Sequence, residues 1–354
     1  MTAMDMLVAD VDAKAPPSAA RAELDRLMAR GAAFLGSRHA VMGGAMSWVS
    51  ERNLVSALSN AGAFGVIACG AMEPDRLAEE IAGTQALTDK PFGVNLITMH
   101  PRLDALVETC LAAGVGHVVF AGGIPPGTAI RRAKEGGAKV VCFAPALSLA
   151  KRLVRAGADA LVIEGSEAGG HIGPVSLTVL AQEILPHITE VPVFVAGGIG
   201  RGEAILAFLE MGAAGVQLGT RFVCATESIA HPRFKQAFVR GSARDALPTV
   251  QLDDRFPVIP VRALQNAGTR RFVEHQAAVL ARFVAGEVAK DAAQLEIEHF
   301  WAGALRRAVI DGDVENGSLM AGQSIGMVSR EEPAAAILEE LMAQAAAAVE
   351  ARRG

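Results

Sequence analysis

The stretch Arg155-Ala156-Gly157-Ala158-Asp159-Ala160-Leu161-Val162-Ile163-Glu164-Gly165-Ser166-Glu167-Ala168-Gly169-Gly170-His171-Ile172-Gly173 decides the fold. It reads as a helix end, a strand and a loop in immediate succession. Gly157 is placed as a helix C-cap in the left-handed region, which a residue without Cβ enters freely. Ala160 to Ile163 is apolar at every position, the pattern of a strand covered on both faces. Glu164 to Gly173 then opens a loop of nearly all small residues around one histidine. Small residues let backbone approach a flat or phosphorylated ligand closely, and an imidazole beside that opening can move a proton near neutral pH.

The same unit recurs. Helix ends of the same kind stand at Asn60-Ala61-Gly62, Ala112-Ala113-Gly114 and Glu210-Met211-Gly212. Apolar runs read as strands at Ala40-Val41-Met42, Gly65-Val66-Ile67-Ala68, Phe92-Gly93-Val94-Asn95-Leu96, His117-Val118-Val119-Phe120 and Lys139-Val140-Val141-Cys142-Phe143. Three more are Ala160-Leu161-Val162-Ile163, Pro192-Val193-Phe194-Val195-Ala196 and Gly215-Val216-Gln217-Leu218. Eight βα units without a switch point close into an α/β fold of the TIM (β/α)8 barrel type rather than an open doubly wound sheet. The expected organisation is a partly disordered leader over 1–33, helical from Ser18 to Ala29. The barrel follows over 34–223 and 320–354, with a helical insertion over 224–319 lying as a lid above the strand C-termini and carrying no further strand series. A last helix, Pro333 to Ala351, closes the barrel.

The bulk numbers exclude several classes. The chain has 354 residues, is 51% hydrophobic and carries a net charge of −5 with both signs scattered, so it holds a sizeable core and no basic patch for nucleic acid. No apolar run approaches the roughly 20 residues of a membrane span. The acidic, proline-containing start does not read as a secretory signal, and a cytoplasmic location is expected. Cys69, Cys110, Cys142 and Cys224 show no metal-ligand or disulfide spacing and read as buried apolar residues. There is no tyrosine, which removes mechanisms that use its hydroxyl as acid or donor.

In such barrels the chemistry sits at the C-terminal ends of the strands. Strand one is followed there by Gly43-Gly44-Ala45-Met46, strand three ends in Asn95, and strand six gives Glu164, Gly165 and the His171 loop. Strand seven gives Ala196-Gly197-Gly198-Ile199, and strand eight gives Gln217-Leu218-Gly219-Thr220-Arg221. Glycines in the last two loops let N–H groups converge on an anion, so a phosphate-bearing ligand is expected. Asn95 either caps a loop or bonds the edge of a heterocycle, and Gln217 is a strand amide that needs partners. Glu164 holds either backbone amides or a ligand hydroxyl. Arg221 either meets a phosphate or pairs with an acidic neighbour. His231 reads as a turn cap, and His100 stands close enough to the mouth to line a pocket.

These residues resemble a known family. Glu167-Ala168-Gly169-Gly170-His171, Ala196-Gly197-Gly198-Ile199 and Gln217-Leu218-Gly219-Thr220-Arg221-Phe222 are similar to the signature of the FMN-dependent nitronate monooxygenases, formerly 2-nitropropane dioxygenases. Close relatives are the flavin-dependent enoyl-ACP reductases of type II. Thr88-Asp89-Lys90-Pro91-Phe92-Gly93-Val94-Asn95 and Gly317-Ser318-Leu319-Met320-Ala321-Gly322-Gln323 also match, so the resemblance runs from about His39 to the C-terminus. It implies FMN in the barrel mouth, its phosphate on Gly198, Gly219 and Thr220, and the remainder held by Asn95, Glu164, Gly169 and Gln217. Gly43, Gly44, Ala45, Met46, Gly165, Gly170, Ala196, Gly197, Leu218, Met320 and Gln323 complete the expected cofactor contacts. His171 is the expected catalytic residue, facing the reactive side of the isoalloxazine, and no metal is expected.

The activity implied is oxidation of alkyl nitronates with O2 to a carbonyl compound and nitrite, with His171 taking the α-proton of a neutral nitroalkane. The alternative is reduction of an enoyl thioester or quinone with NAD(P)H as co-substrate, His171 positioning the thioester carbonyl or assisting protonation. A third is a flavin-binding barrel without turnover. Met320-Ala321-Gly322-Gln323 and Glu227-Ser228-Ile229-Ala230-His231-Pro232 lean towards the reductase branch. Glu164 is Glu in the reductases and Gln in some monooxygenases. Met42 stands where the family often has Gln before Gly-Gly-Met. The expected partners are a small-molecule substrate, nitronate or enoyl thioester, and a second copy of the chain in a homodimer.

Overall fold

The computed structural model describes residues 18–352 apart from 71 and 257. Residues 1–17 of the expected leader therefore lie outside the described residues. Among the described residues there are eleven strands: β1 (Val41–Gly43), β2 (Gly65–Ala68), β3 (Phe92–Ile97), β4 (His117–Ala121), β5 (Lys139–Phe143), β6 (Ala160–Glu164), β7 (Gly170–His171), β8 (Val193–Ala196), β9 (Gly215–Leu218), β10 (Ala246–Pro248) and β11 (Val261–Leu264). Eight of them form one parallel sheet in the order β1-β9-β8-β6-β5-β4-β3-β2. Gly43 N–H to Phe64 O at 2.8 Å and Phe64 N–H to Val41 O at 2.8 Å join β1 to the start of β2 and complete the barrel. The strands are buried along nearly their whole length because side chains fill the barrel inside and helices cover it outside. Gly62, Gly114, Gly157 and Gly212 all take φ between +69° and +105°, as helix-terminating glycines require.

Two features depart from the sequence expectation. The first helix runs on from Ala19 to Leu35, past the expected end at Ala29, and sets Leu24, Met28 and Leu35 into the barrel core. Gly31 lies within this helix, and a Cβ there would stand 2.1 Å from Ala214 O, so only glycine lets the helix seat against the barrel. The segment after β9 carries the helices Pro232–Arg240, Ala267–Val284 and Lys290–Val309, and also β10 and β11. With β7 they make a three-stranded antiparallel sheet in the order β10-β11-β7. Proline in β10 argues against a strand, yet β10 is an edge, where proline is tolerated. β11 hides behind Arg262, whose guanidinium is buried on the carbonyls of Ser166 and Ala246.

The excursion is stitched at its root. Thr226 N–H bonds Glu332 O at 3.0 Å where the chain leaves and returns. The last helix, Ala334–Ala351, then packs on the helix Gly202–Glu210, close enough that a Cβ on Gly202 would meet Leu341 O at 2.1 Å. No described helix is long and apolar enough to cross a membrane.

Candidate active site

Three loops interlock above the barrel. After β6, Gly165 N–H bonds Ala196 O at 2.9 Å and Ser166 N–H bonds Val175 O at 2.8 Å. The Glu167 carboxylate takes the Leu177 N–H at 2.9 Å, at the start of the helix Leu177–Ile184, so it is spent on a cap. Glu167 O accepts Gln323 N–H at 2.9 Å, and Thr220 Oγ1 accepts Gly322 N–H at 3.0 Å. On the far side Gly44 N–H bonds Leu218 O at 2.8 Å, and a Cβ on Gly44 would lie 3.2 Å from Gly219 Cα. Met46 reaches the same glycine, its sulfur 3.5 Å from where a Gly219 Cβ would stand, with Ala45 beside it in the loop. The loops after β1, β6, β8 and β9 and the 320–323 segment therefore meet at one mouth.

Several glycines there are small for a reason other than ligand approach. A Cβ on Gly165 would lie 2.3 Å from Leu177 N, one on Gly169 2.5 Å from Gly322 N, and one on Gly197 2.9 Å from Gly165 O. Protein backbone crosses at these points, and any side chain would part the loops. Gly43 is similarly filled by Leu58 Cδ1 at 2.6 Å, whereas the nearest atom to a Cβ on Gly170 is Met320 Sδ at 3.6 Å.

The polar groups at the mouth are incompletely satisfied. Asn95 gives its amide N–H to Val119 O at 3.2 Å, and its side-chain oxygen has no partner among the described residues. Gln217 is 8% exposed and makes no side-chain hydrogen bond among them. Gln217 and Glu164 flank Ala196 in register, one strand away on each side. Burial alone pushes the Glu164 carboxyl up to about 8, so it is protonated near neutrality and acts as a hydrogen-bond donor. A buried amide without partners loses about 1–3 kcal/mol, so these groups fit a ligand with donor and acceptor edges. Gly197 and Gly198, at φ +95° and +70°, and Gly219 present N–H groups with no acceptor among the described residues. Such N–H groups form an anion cradle. An amide-edged heterocycle with a phosphate tail, which is the chemistry of FMN, fits both halves.

Arg221 is not at this mouth chemistry: it bonds Met327 O at 2.6 Å and Glu340 at 2.9 Å, the structural alternative. His231 Nδ1 caps the helix Pro232–Arg240 through Arg233 N–H at 3.1 Å, as read from the sequence. His100 makes the same kind of turn contact with Arg102 N–H at 3.1 Å. His171 is exposed in β7, directly opposite Val261 of β11. The four cysteines are free and buried, and desolvation pushes each thiol up to about 12. Sequence reasoning missed Arg262, the buried cation that ties the small sheet to the His171 loop. It also missed Trp48, the one described non-glycine residue at positive φ, +67°, which packs under Arg306 just beyond Met46.

The nitronate monooxygenase family model matches residues 30–107 and 102–344. The chain belongs to the nitronate monooxygenase family. It is therefore an oxidoreductase of that family. It is 32% identical over 319 residues to the (3aS,4S,5R,7aS)-5-hydroxy-7a-methyl-1-oxo-octahydro-1H-indene-4-carboxyl-CoA dehydrogenase of Mycobacterium tuberculosis, covering 83% of this chain and 89% of that one. A probable nitronate monooxygenase of Staphylococcus saprophyticus is 27% identical, covering 80% and 94%. Among solved structures, FabK of Thermotoga maritima, an enoyl-ACP reductase, aligns with a TM-score of 0.82 at 38% identity over 92% of this chain and 98% of that one. Nitroalkane oxidase of Streptomyces ansochromogenes aligns with a TM-score of 0.73 at 28% identity, covering 88% and 97%.

Proposed function

We propose that the chain is an FMN-dependent oxidoreductase that exchanges a hydride between a nicotinamide and the β-carbon of an acyl thioester. The observation that carries the cofactor is the set of unspent groups at the mouth, Asn95, Glu164 and Gln217, beside the glycine N–H groups. The thioester rests on the relatives: a carboxyl-CoA dehydrogenase at 32% and FabK at 38% exceed the nitronate and nitroalkane enzymes at 27% and 28%.

FMN, when bound, supplies the hydride exchange that no side chain can perform. Gln217 and the Asn95 oxygen hold the edge of its ring, and neutral Glu164 donates a hydrogen bond. Gly197, Gly198 and Gly219 hold the phosphate through their N–H groups. His171 presents its imidazole to the thioester carbonyl from the rim, polarising the bond to the α-carbon, where a proton completes reduction. One hydride and one proton are consumed for each double bond.

Nitronate oxidation is the second reading, favoured by the family model and by the nitroalkane oxidase likeness. Anaerobic mixing separates the two. The flavin band is expected to bleach with NADH or NADPH and to return on adding crotonyl-CoA. Bleaching by propyl nitronate with no response to either nicotinamide would replace the thioester reading with the second.

A further inference from the structure

The strand that carries His171, β7, is two residues long. Strands usually run to roughly 3–10 residues, so β7 has too few ladder bonds to fix its own place. One residue reaches both ends of the loop before it. Arg262 of β11 stands opposite Gly170 in register, and its Nε–H donates to Ser166 O at 2.9 Å. Its Nη1 donates to Ala246 O of β10 at 2.5 Å, and Arg262 O accepts Ala321 N–H at 3.3 Å. The segment 166–170 is thus clamped at its start by the side chain, and at its end by the backbone, of one residue.

A guanidinium is a demanding choice for this place. Arg262 is 7% exposed, and burial pulls its pKa down from the ordinary value, with the nearby Glu167 carboxylate offsetting this in part. That carboxylate is held by Leu177 N–H, and both guanidinium bonds go to neutral carbonyls. Neutral donors could satisfy two carbonyls without burying a charge. Arginine adds a rigid planar fork, which leaves one geometry for the groups it joins. Tying the excursion to the barrel does not require it. Thr226 N–H on Glu332 O already roots the excursion, while Thr220 Oγ1 and Glu167 O pin the 320–323 segment. What Arg262 adds falls on the loop that carries His171.

We propose that Arg262 is a positioning residue for the reaction at the mouth. It acts through His171: by fixing both ends of 166–170 it sets the imidazole in one orientation toward the substrate, while its own donors stay on the protein carbonyls. Displacing a reacting group by about 1 Å can lower a rate about 100-fold, so such a clamp is felt in kcat. The inference rests on His171 acting at the substrate, as proposed above, and not on which substrate is taken.

The test is a double-mutant cycle at saturating FMN, with NADH or NADPH and crotonyl-CoA. Arg262→Met keeps the length of the side chain without its donors and is expected to lower kcat about 30-fold, with KM changed less than about twofold. His171→Ala lowers kcat about 100-fold. In the His171→Ala background, Arg262→Met is expected to lower kcat by less than about twofold more, whereas independent roles would multiply to about 3,000-fold. Multiplied losses, or full turnover by Arg262→Met, would overturn the inference and spare the thioester reading. Full turnover by His171→Ala would overturn it together with the role given to His171. If the native protein does not turn over crotonyl-CoA, the thioester reading fails, and the same cycle with propyl nitronate and O2 decides the inference. Should Arg262→Met fail to fold, Arg262→Lys, which keeps the charge and loses the fork, goes through the same cycle with the same expectation. Flavin-free protein gives a readout apart from activity: amide hydrogen exchange over 166–173 is expected to run about tenfold faster in either variant. Unchanged exchange would overturn the clamp.

Discussion

Replacing Glu164 by Gln isolates a carboxyl that burial holds neutral. Its pKa rises from 4.5 to about 8, with desolvation as the cause. The sign follows from linkage. In the unfolded chain this group ionises near 4.5, while in the folded apoprotein it keeps its proton until about 8. Between those values the unfolded state binds fewer protons, so stability is full below the lower value and falls as pH rises to the upper one. At about 1.4 kcal/mol per unit, the two units between pH 6 and 8 amount to at most about 3 kcal/mol. Partial access of water to the mouth brings this nearer 1–2 kcal/mol, an order-of-magnitude figure. Above the upper value the loss levels off. The assay is urea unfolding of the flavin-free protein at pH 6 and pH 9, native beside Glu164→Gln, so that the general rise of negative charge cancels in the difference. The variant is expected to lose less stability than the native protein over that interval by the stated amount. Equal losses in both would refute the neutral, buried carboxyl.

Other outcomes follow from the same structure. His171→Ala is expected to keep its flavin, seen in the absorption spectrum, and to lose about 100-fold in turnover; loss of flavin would make the residue a binding group. Gly169→Ala sets a Cβ against Gly322 N and is expected to lower stability by about 2–4 kcal/mol in denaturant melts and to part the 320–323 segment from the β6 loop. The thiols of Cys69, Cys110, Cys142 and Cys224, held near 12, are expected to resist Ellman's reagent in the native protein and to react fully once it is unfolded.

The barrel is legible in the chain because strands covered on both faces are apolar at nearly every position and several of the helices stop at a glycine. Both signals are local, and the strands fall within about a residue of where they were read. The loops after β6, β8 and β9 are equally legible, since chain order puts them at one end of the barrel. What is not legible is contact between distant segments. Nothing local says that Gly31 is there for Ala214, that Gly165 and Gly169 are small because Leu177 and Gly322 cross them, or that Arg262 conceals a strand while binding the Ser166 carbonyl. The small sheet escapes for the same reason: β10 breaks the strand pattern with a proline, and β7 is two residues long. His171 was found by its neighbours in sequence, but its partner Val261 lies across the insertion.

The FMN site proposed at the mouth of the barrel can be tested by direct binding. Flavin-free protein titrated with FMN, followed by quenching of flavin fluorescence, is expected to bind one FMN per chain, with Gln217→Leu weakening the affinity about tenfold and leaving the melting temperature of the flavin-free protein unchanged. Binding with no preference for FMN over riboflavin, or an affinity indifferent to Gln217, would contradict it.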